Sequence, residues 1–170
     1  HNRMVLNTTF TDISLALVSA PGEPEAISQI DGLIIAPLDG TPLTVTQEMR
    51  DVLYMFKRSK THSYVDNGDV PSSWPLTTID EGFGAPVHGV ATVVDSGGIN
   101  IDFIITTSFR GIMIFNGRYF SPELSYKIRR TWSAQDKTEY RNIQIVNDTP
   151  GSIFYCALPD RRLLVGNYGN

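Results

Sequence analysis

Residues 51–68, DVLYMFKRSKTHSYVDNG, residues 101–117, IDFIITTSFRGIMIFNG, and residues 152–166, SIFYCALPDRRLLVG, decide how this chain is read. Each begins with a short limb rich in aromatic and β-branched side chains, which suits a pleated surface packed between neighbouring sheets. Polar turn residues follow, at 58–60, 108–111 and 159–161, and then a second limb that ends on an Asn-Gly or Gly-Asn pair. Asn and Gly accept positive φ, so they close such a limb in a tight turn. The closing glycines, Gly68, Gly117 and Gly166, recur at an interval of 49 residues. A period of that size made of strand, turn and strand predicts an array of repeated sheets, β-propeller-like, in which no unit buries its apolar faces alone.

Working outward, each cassette gains strands. Residues 89–94 and 142–146 precede the second and third cassettes as further strands, each followed by a Gly-containing turn. For the first cassette the corresponding strand is 33–38, before Asp39-Gly40. An outer fourth strand is expected at 76–79 and at 124–128. Helix is confined to 46–53 and 133–140, the latter with Ser133 and Asp136 in a capping-box-like spacing. Residues 1–30 read as an N-terminal strand at 9–18 and a linker around Pro21-Gly22-Glu23-Pro24. The expectation is all-β: residues 31–170 hold about three antiparallel propeller-type blades with a period near 49 residues. Three such units do not close a ring of four to eight blades, so the chain reads as an incomplete portion of a larger propeller.

Composition narrows the function classes. With 170 residues, 41% of them hydrophobic, the chain can bury a sizeable core. Its net charge of −4 and sequence pI near 5.3 argue against a basic face that wraps nucleic acid, because neutralising phosphates needs clustered Lys and Arg. Arg129-Arg130 and Arg161-Arg162 read as solvated turn or edge charges. No apolar run approaches the ~20 residues of a spanning helix, and no signal-peptide pattern opens the chain. The single Cys156 lies in an apolar limb, so it reads as a buried, inert thiol.

The segments that resemble chemical motifs read better as turns. Asp95-Ser96-Gly97-Gly98 is similar to the nucleophile loop of chymotrypsin-like proteases, but a serine nucleophile needs a base oriented by a carboxylate. His88 lies in the strand leading into that same turn. Asp66-Asn67-Gly68-Asp69 begins like a calcium loop, yet Thr77 stands where an EF-hand places its bidentate Glu. Asp66, Gly68 and Trp74 also resemble the Asp-box hairpin of sialidase propellers, with a longer Gly-to-Trp interval. The carboxylates Asp80, Glu81, Glu123 and Glu139 are scattered rather than paired. His1, His62 and His88 lack zinc spacing; His62, in a polar limb, reads as a surface residue and His88 as a packed or hydrogen-bonded strand residue. No glycine-rich phosphate loop joins a strand to a helix. No catalytic, cofactor-binding or metal residues are therefore assigned, and no cofactor or enzymatic activity is expected.

The LYMFK limb at 53–57, the NGD-x-P-SSWP segment at 67–75, the GAPVHG turn at 84–89, the DSGG turn at 95–98 and the MIFNG limb at 113–117 together resemble propeller-containing structural proteins of tailed-bacteriophage virions, of the tail nozzle or tail tubular class. The resemblance covers residues 31–170. It implies a non-catalytic component of the viral tail, a ring around a DNA channel, with copies of itself and other tail proteins as partners. Passing DNA would touch an acidic to neutral wall without sequence-specific binding. The alternative is a glycan-binding or glycan-cleaving propeller for host recognition, which needs exposed aromatics or arginines converging on one face. Tyr119, Phe120, Trp132 and Tyr168 are the candidates for such a face.

Overall fold

The computed structural model describes residues 3–7, 14–86, 90–93, 102–121, 123–148 and 150–168. They form four antiparallel sheets that follow one another in chain order. The first sheet joins β1 (Val5–Asn7), β2 (Leu15–Ala20) and β3 (Glu23–Ile34). The second holds β4 (Leu43–Met49), β5 (Val52–Lys57), β6 (Thr61–Val65) and β7 (Leu76–Asp80). The third holds β8 (Val90–Val93), β9 (Phe103–Ser108), β10 (Gly111–Phe115) and β11 (Phe120–Ser121). The fourth is β12 (Gln144–Asp148), β13 (Ile153–Ala157) and β14 (Leu163–Asn167). In each sheet every strand pairs with its neighbour in sequence, so each is a meander.

One apolar cluster lies between each consecutive pair of sheets. Ala16, Val18 and Leu33 of the first sheet meet Leu43, Met55 and Tyr64 of the second, with Trp74 beside them. Met49, Tyr54 and Phe56 meet Ile104 and Phe115 of the third. Ile105 and Ile112 then meet Ile145, Phe154 and Cys156 of the fourth, with Trp132 and Tyr140 sealing that layer. Alternation along a strand explains how one limb serves two layers: Met55 points one way, Tyr54 and Phe56 the other. The same holds for Ile104 and Ile105. Each fully buried large side chain contributes about 1.5–3 kcal/mol, so both faces of the middle sheets must stay covered.

The limbs expected at 52–56, 103–107 and 153–158 are β5, β9 and β13, and the fourth strand expected at 76–79 is β7. Other expectations change. Residues 46–53 are not helical: β4 and β5 form a hairpin across Arg50 and Asp51, both left-handed at φ 55° and 59°. Neither residue is Gly or Asn, so the turn carries no sequence signature. The strand expected at 33–38 belongs partly to β3 of the preceding sheet, and the first strand of the second sheet is β4. Pro21-Gly22 is the turn of the β2–β3 hairpin rather than a linker, so the N-terminal stretch is a sheet in its own right.

Residues 124–128 form a 3₁₀ turn, Glu123–Ile128, which leads into a short helix α1 (Arg129–Ser133). The helix expected at 133–140 is replaced by a second 3₁₀ turn, Lys137–Asn142, capped by the Asp136 carboxylate accepting from the Thr138 N–H. Burial of Trp132 and Tyr140 between the last two sheets sets this path.

The evenly spaced glycines do two different jobs. Gly68 and Gly117 adopt φ 88° and 95° in the turns after the third strand of their sheets. Gly166 lies inside β14, under the Phe154 ring, where any Cβ would overlap the ring atoms.

Candidate functional site

The turns of consecutive sheets gather at two ends of the stack. At one end lie the β5–β6, β9–β10 and β13–β14 turns together with the connections between sheets. A chain of contacts ties them together: Lys57 Nζ donates to Asp39 Oδ1 at 2.8 Å, Arg58 stacks on Phe109 at 4.9 Å, and Arg110 stacks on Phe83 at 4.9 Å. The Trp132 indole N–H donates to Ser108 O at 3.1 Å, and Gln135 Nε2 donates to Asp160 Oδ2 at 2.8 Å. At the other end lie the β4–β5, β6–β7, β10–β11 and β12–β13 turns. There Arg3 pairs with Asp66 at 3.0 Å and Arg50 with Asp102 at 3.8 Å.

This geometry separates the charges. Lys57, Arg58, Lys60, Arg110, Arg129, Arg161 and Arg162 lie at the first end, with the carboxylates Asp39, Asp80 and Asp160, whereas Arg3, Arg50 and Arg118 lie at the second. That end instead carries Asp51, Asp66, Asp69, Asp102 and Asp148 in or beside its turns. Net charge conceals this arrangement. The basic residues read from sequence as isolated pairs converge on one end because every β-strand reversal of the same kind falls on the same side. The signal that could have found them is the period itself: Arg58, Arg110 and Arg161 occupy the equivalent hairpin of successive units.

Among the described residues, no carboxylate pairs with Arg58, Arg110, Arg129 or Arg161. Arg110 and Arg129 line a hollow of about 290 Å³ walled by Phe83, Phe120 and Tyr126. Phe83 and Phe120 stack at 5.5 Å, and Tyr126 is 72% exposed. By contrast Arg162 is bound to Asp160, whose carboxyl is held well below the ordinary carboxylate range by hydrogen bonds from Arg162 and Gln135. A cleft of about 750 Å³ lies at the other end over Trp74, and its one arginine, Arg3, is already held by Asp66 and the Trp74 ring.

Beneath the basic end sits a buried ion pair. Lys57 is fully enclosed and its ammonium donates to Ala36 O at 3.0 Å, Ser14 Oγ at 3.3 Å and Asp39 Oδ1. Burial alone would raise the Asp39 carboxyl, but the hydrogen bonds from Lys57 and Thr41 outweigh it and bring it down to about 2. Lys60 approaches the same carboxylate at 3.7 Å. The pair pins the connection between the first and second sheets to the β5–β6 hairpin.

The residues singled out from sequence are not brought together. His88 and 95–98 lie outside the described residues, as does His1. Asp66 Oδ1 accepts from the Gly68 N–H and its Oδ2 from Arg3, so the calcium-like stretch is a closed turn. Among the described residues no three His, Cys, Asp or Glu side chains gather as a metal site. Asp80 Oδ1 accepts from the backbone N–H groups of Gly82 and Phe83, and Glu139 accepts from Asn142. His62 is 2% exposed, with Nδ1 3.2 Å from Thr78 Oγ1 and Nε2 lacking a partner among the described residues. Burial, with the nearby Lys57 charge, pushes its pKa down. Burial likewise pushes the Cys156 thiol up to about 12.

The four aromatics proposed for a recognition face are dispersed. Trp132 is a core residue, Phe120 packs on Phe115 at 4.6 Å, and Tyr168 leans on Phe103. Tyr119 is 62% exposed in the turn between β10 and β11 and does not line the hollow that Phe120 walls. No helix among the described residues is long and apolar enough to cross a membrane. No family model and no curated protein matches the chain.

Proposed function

We propose that this protein is a non-catalytic structural component of a tailed-bacteriophage virion, part of the tail, and that its four sheets act as propeller-type blades. The observation that carries the assembly role is the outer face of the fourth sheet. Val146, Tyr155 and Val165 stand opposite one another across its three strands, with Leu163 and Ala157 in the next row. Val146, Leu163 and Val165 are each about three-fifths exposed, at 62%, 59% and 61%. In the second and third sheets the equivalent face is covered by the sheet that follows. The first sheet also ends on apolar side chains, with Leu6 at 43% and Ile34 at 55% exposure. Apolar rows of this kind support lateral packing against a further sheet, supplied by a neighbouring subunit. The virion assignment rests on the sequence resemblance at 53–57, 67–75, 84–89, 95–98 and 113–117.

The test has two parts. Sedimentation of the 170-residue chain should reveal self-association that survives high salt and is lost in Val165→Lys, which puts a charge in the centre of the row. Immunogold electron microscopy of whole particles should then place the protein in the tail. A salt-independent monomer that binds sugars on a glycan array would overturn the reading and favour host recognition.

A further inference from the structure

The segregation of charge between the two ends has a geometric property beyond its sign. Both ends are built from turns of the same sheets, so basic and acidic turns repeat with the same sheet-to-sheet spacing, about 10 Å. The second sheet carries Arg58, with Asp80 and Glu81, at one end and Asp51 and Asp69 at the other. The fourth carries Arg161, beside the Asp160–Arg162 pair, at one end and Asp148 at the other. In the third, Arg110 lies at the basic end, while at the other end Asp102 is paired with Arg50.

We infer that the basic end is a docking surface for the acidic end of a second copy of this chain, stacked head to tail along the strand direction. A copy displaced along its own strands brings the uncompensated arginines of one end, Arg58, Arg110, Arg129 and Arg161, towards the uncompensated carboxylates of the other, Asp51, Asp69 and Asp148. The guanidinium groups of Arg58 and Arg110 are held flat against Phe109 and Phe83, which orders them before a carboxylate arrives and lowers the entropy cost of pairing. Among the described residues Asp51, Asp69 and Asp148 have no cation within ion-pair distance, just as Arg58, Arg110 and Arg129 have no carboxylate. A nucleic acid is the competing partner for a basic end. The overall charge of −4 and the acidic turns one strand-length away disfavour it, whereas the same acidic turns are what a second copy requires.

This contact is polar and lies at the strand ends, unlike the lateral apolar packing of the proposed function, and the two separate experimentally. Sedimentation velocity of the full chain at about 0.05 M and about 1 M salt should show an association component present only at low salt, since the Debye length falls from above 10 Å to about 3 Å. Arg110→Glu/Arg129→Glu and Asp69→Lys/Asp148→Lys, each checked for native circular dichroism, should each weaken that component by roughly tenfold or more. Mixing the two variants should restore it, because each then offers the end that the other lacks. Val165→Lys should leave it unchanged. The proposal is overturned if wild type has no salt-sensitive association, if either variant keeps it, if the mixture fails to restore it, or if a short DNA duplex displaces the second copy at about 0.15 M salt.

Discussion

Replacing Lys57 by Met tests whether the buried ion pair holds the first two sheets in place. Met keeps most of the aliphatic stem but removes the ammonium, leaving Asp39 with Thr41 and with Lys60 at 3.7 Å and breaking the Lys57 hydrogen bonds to Ala36 O and Ser14 Oγ. Removing one partner of a buried pair costs about 3–5 kcal/mol. Asp39 is at the margin, with 12% of its side chain exposed, so the lower end applies, about 3 kcal/mol. With a urea m-value of about 2 kcal/mol per molar, the unfolding midpoint should fall by about 1.5 M. Lys60→Met, at the same carboxylate but with 31% of its side chain exposed, should change stability by no more than about 0.5 kcal/mol. Acid adds a second readout. The Asp39 carboxyl lies at about 2 against an ordinary 3.8, so its stabilisation is complete above pH 3.8 and is lost as pH falls towards 2. Lys57→Met should flatten that limb of the stability profile. A loss below about 1 kcal/mol, or an unchanged acid limb, would refute the assignment of a structural role to the pair.

Two further perturbations probe the core. His62 is buried with its pKa pushed down, so below its ordinary 6.5 the unfolded chain takes up a proton that the folded chain resists, and stability should fall as pH drops from 7.5 to 5.5. His62→Gln should reduce that slope in urea titrations, and an unaltered slope would assign it to other groups. Gly166→Ala places a methyl into the Phe154 ring and should destabilise by about 1–3 kcal/mol, read as a lower thermal midpoint. Phe154→Leu in the same background should recover part of the loss, and a neutral Gly166→Ala would show that the ring is not held over that strand.

Local pattern alone was enough to identify the strands at the centre of each unit. The limbs of β5, β9 and β13 combine aromatic and β-branched residues with polar hairpins at a fixed interval, and such strands need no distant partner to be recognised. Pattern failed where a distant contact overrode it. The β4–β5 turn adopts left-handed geometry at Arg50 and Asp51 because the paired strands demand it, and 124–143 bends through 3₁₀ turns because Trp132 and Tyr140 must reach the last core layer. His62 reads as a surface residue in a polar limb, yet β6 is covered on both faces.

The sequence by itself determined the antiparallel strand content, the 49-residue interval and the inert, single cysteine, because strand periodicity and turn chemistry act over a few residues. Only the tertiary structure decided that Lys57 is enclosed, that Gly166 makes room for a ring rather than a turn, and that Arg58, Arg110, Arg129 and Arg161 share one end. Charge is additive along a chain but not in space. A sum of −4 carries no information about direction, whereas stacked meanders send alternate reversals to opposite ends and so turn a weak sequence pattern into two surfaces of opposite sign.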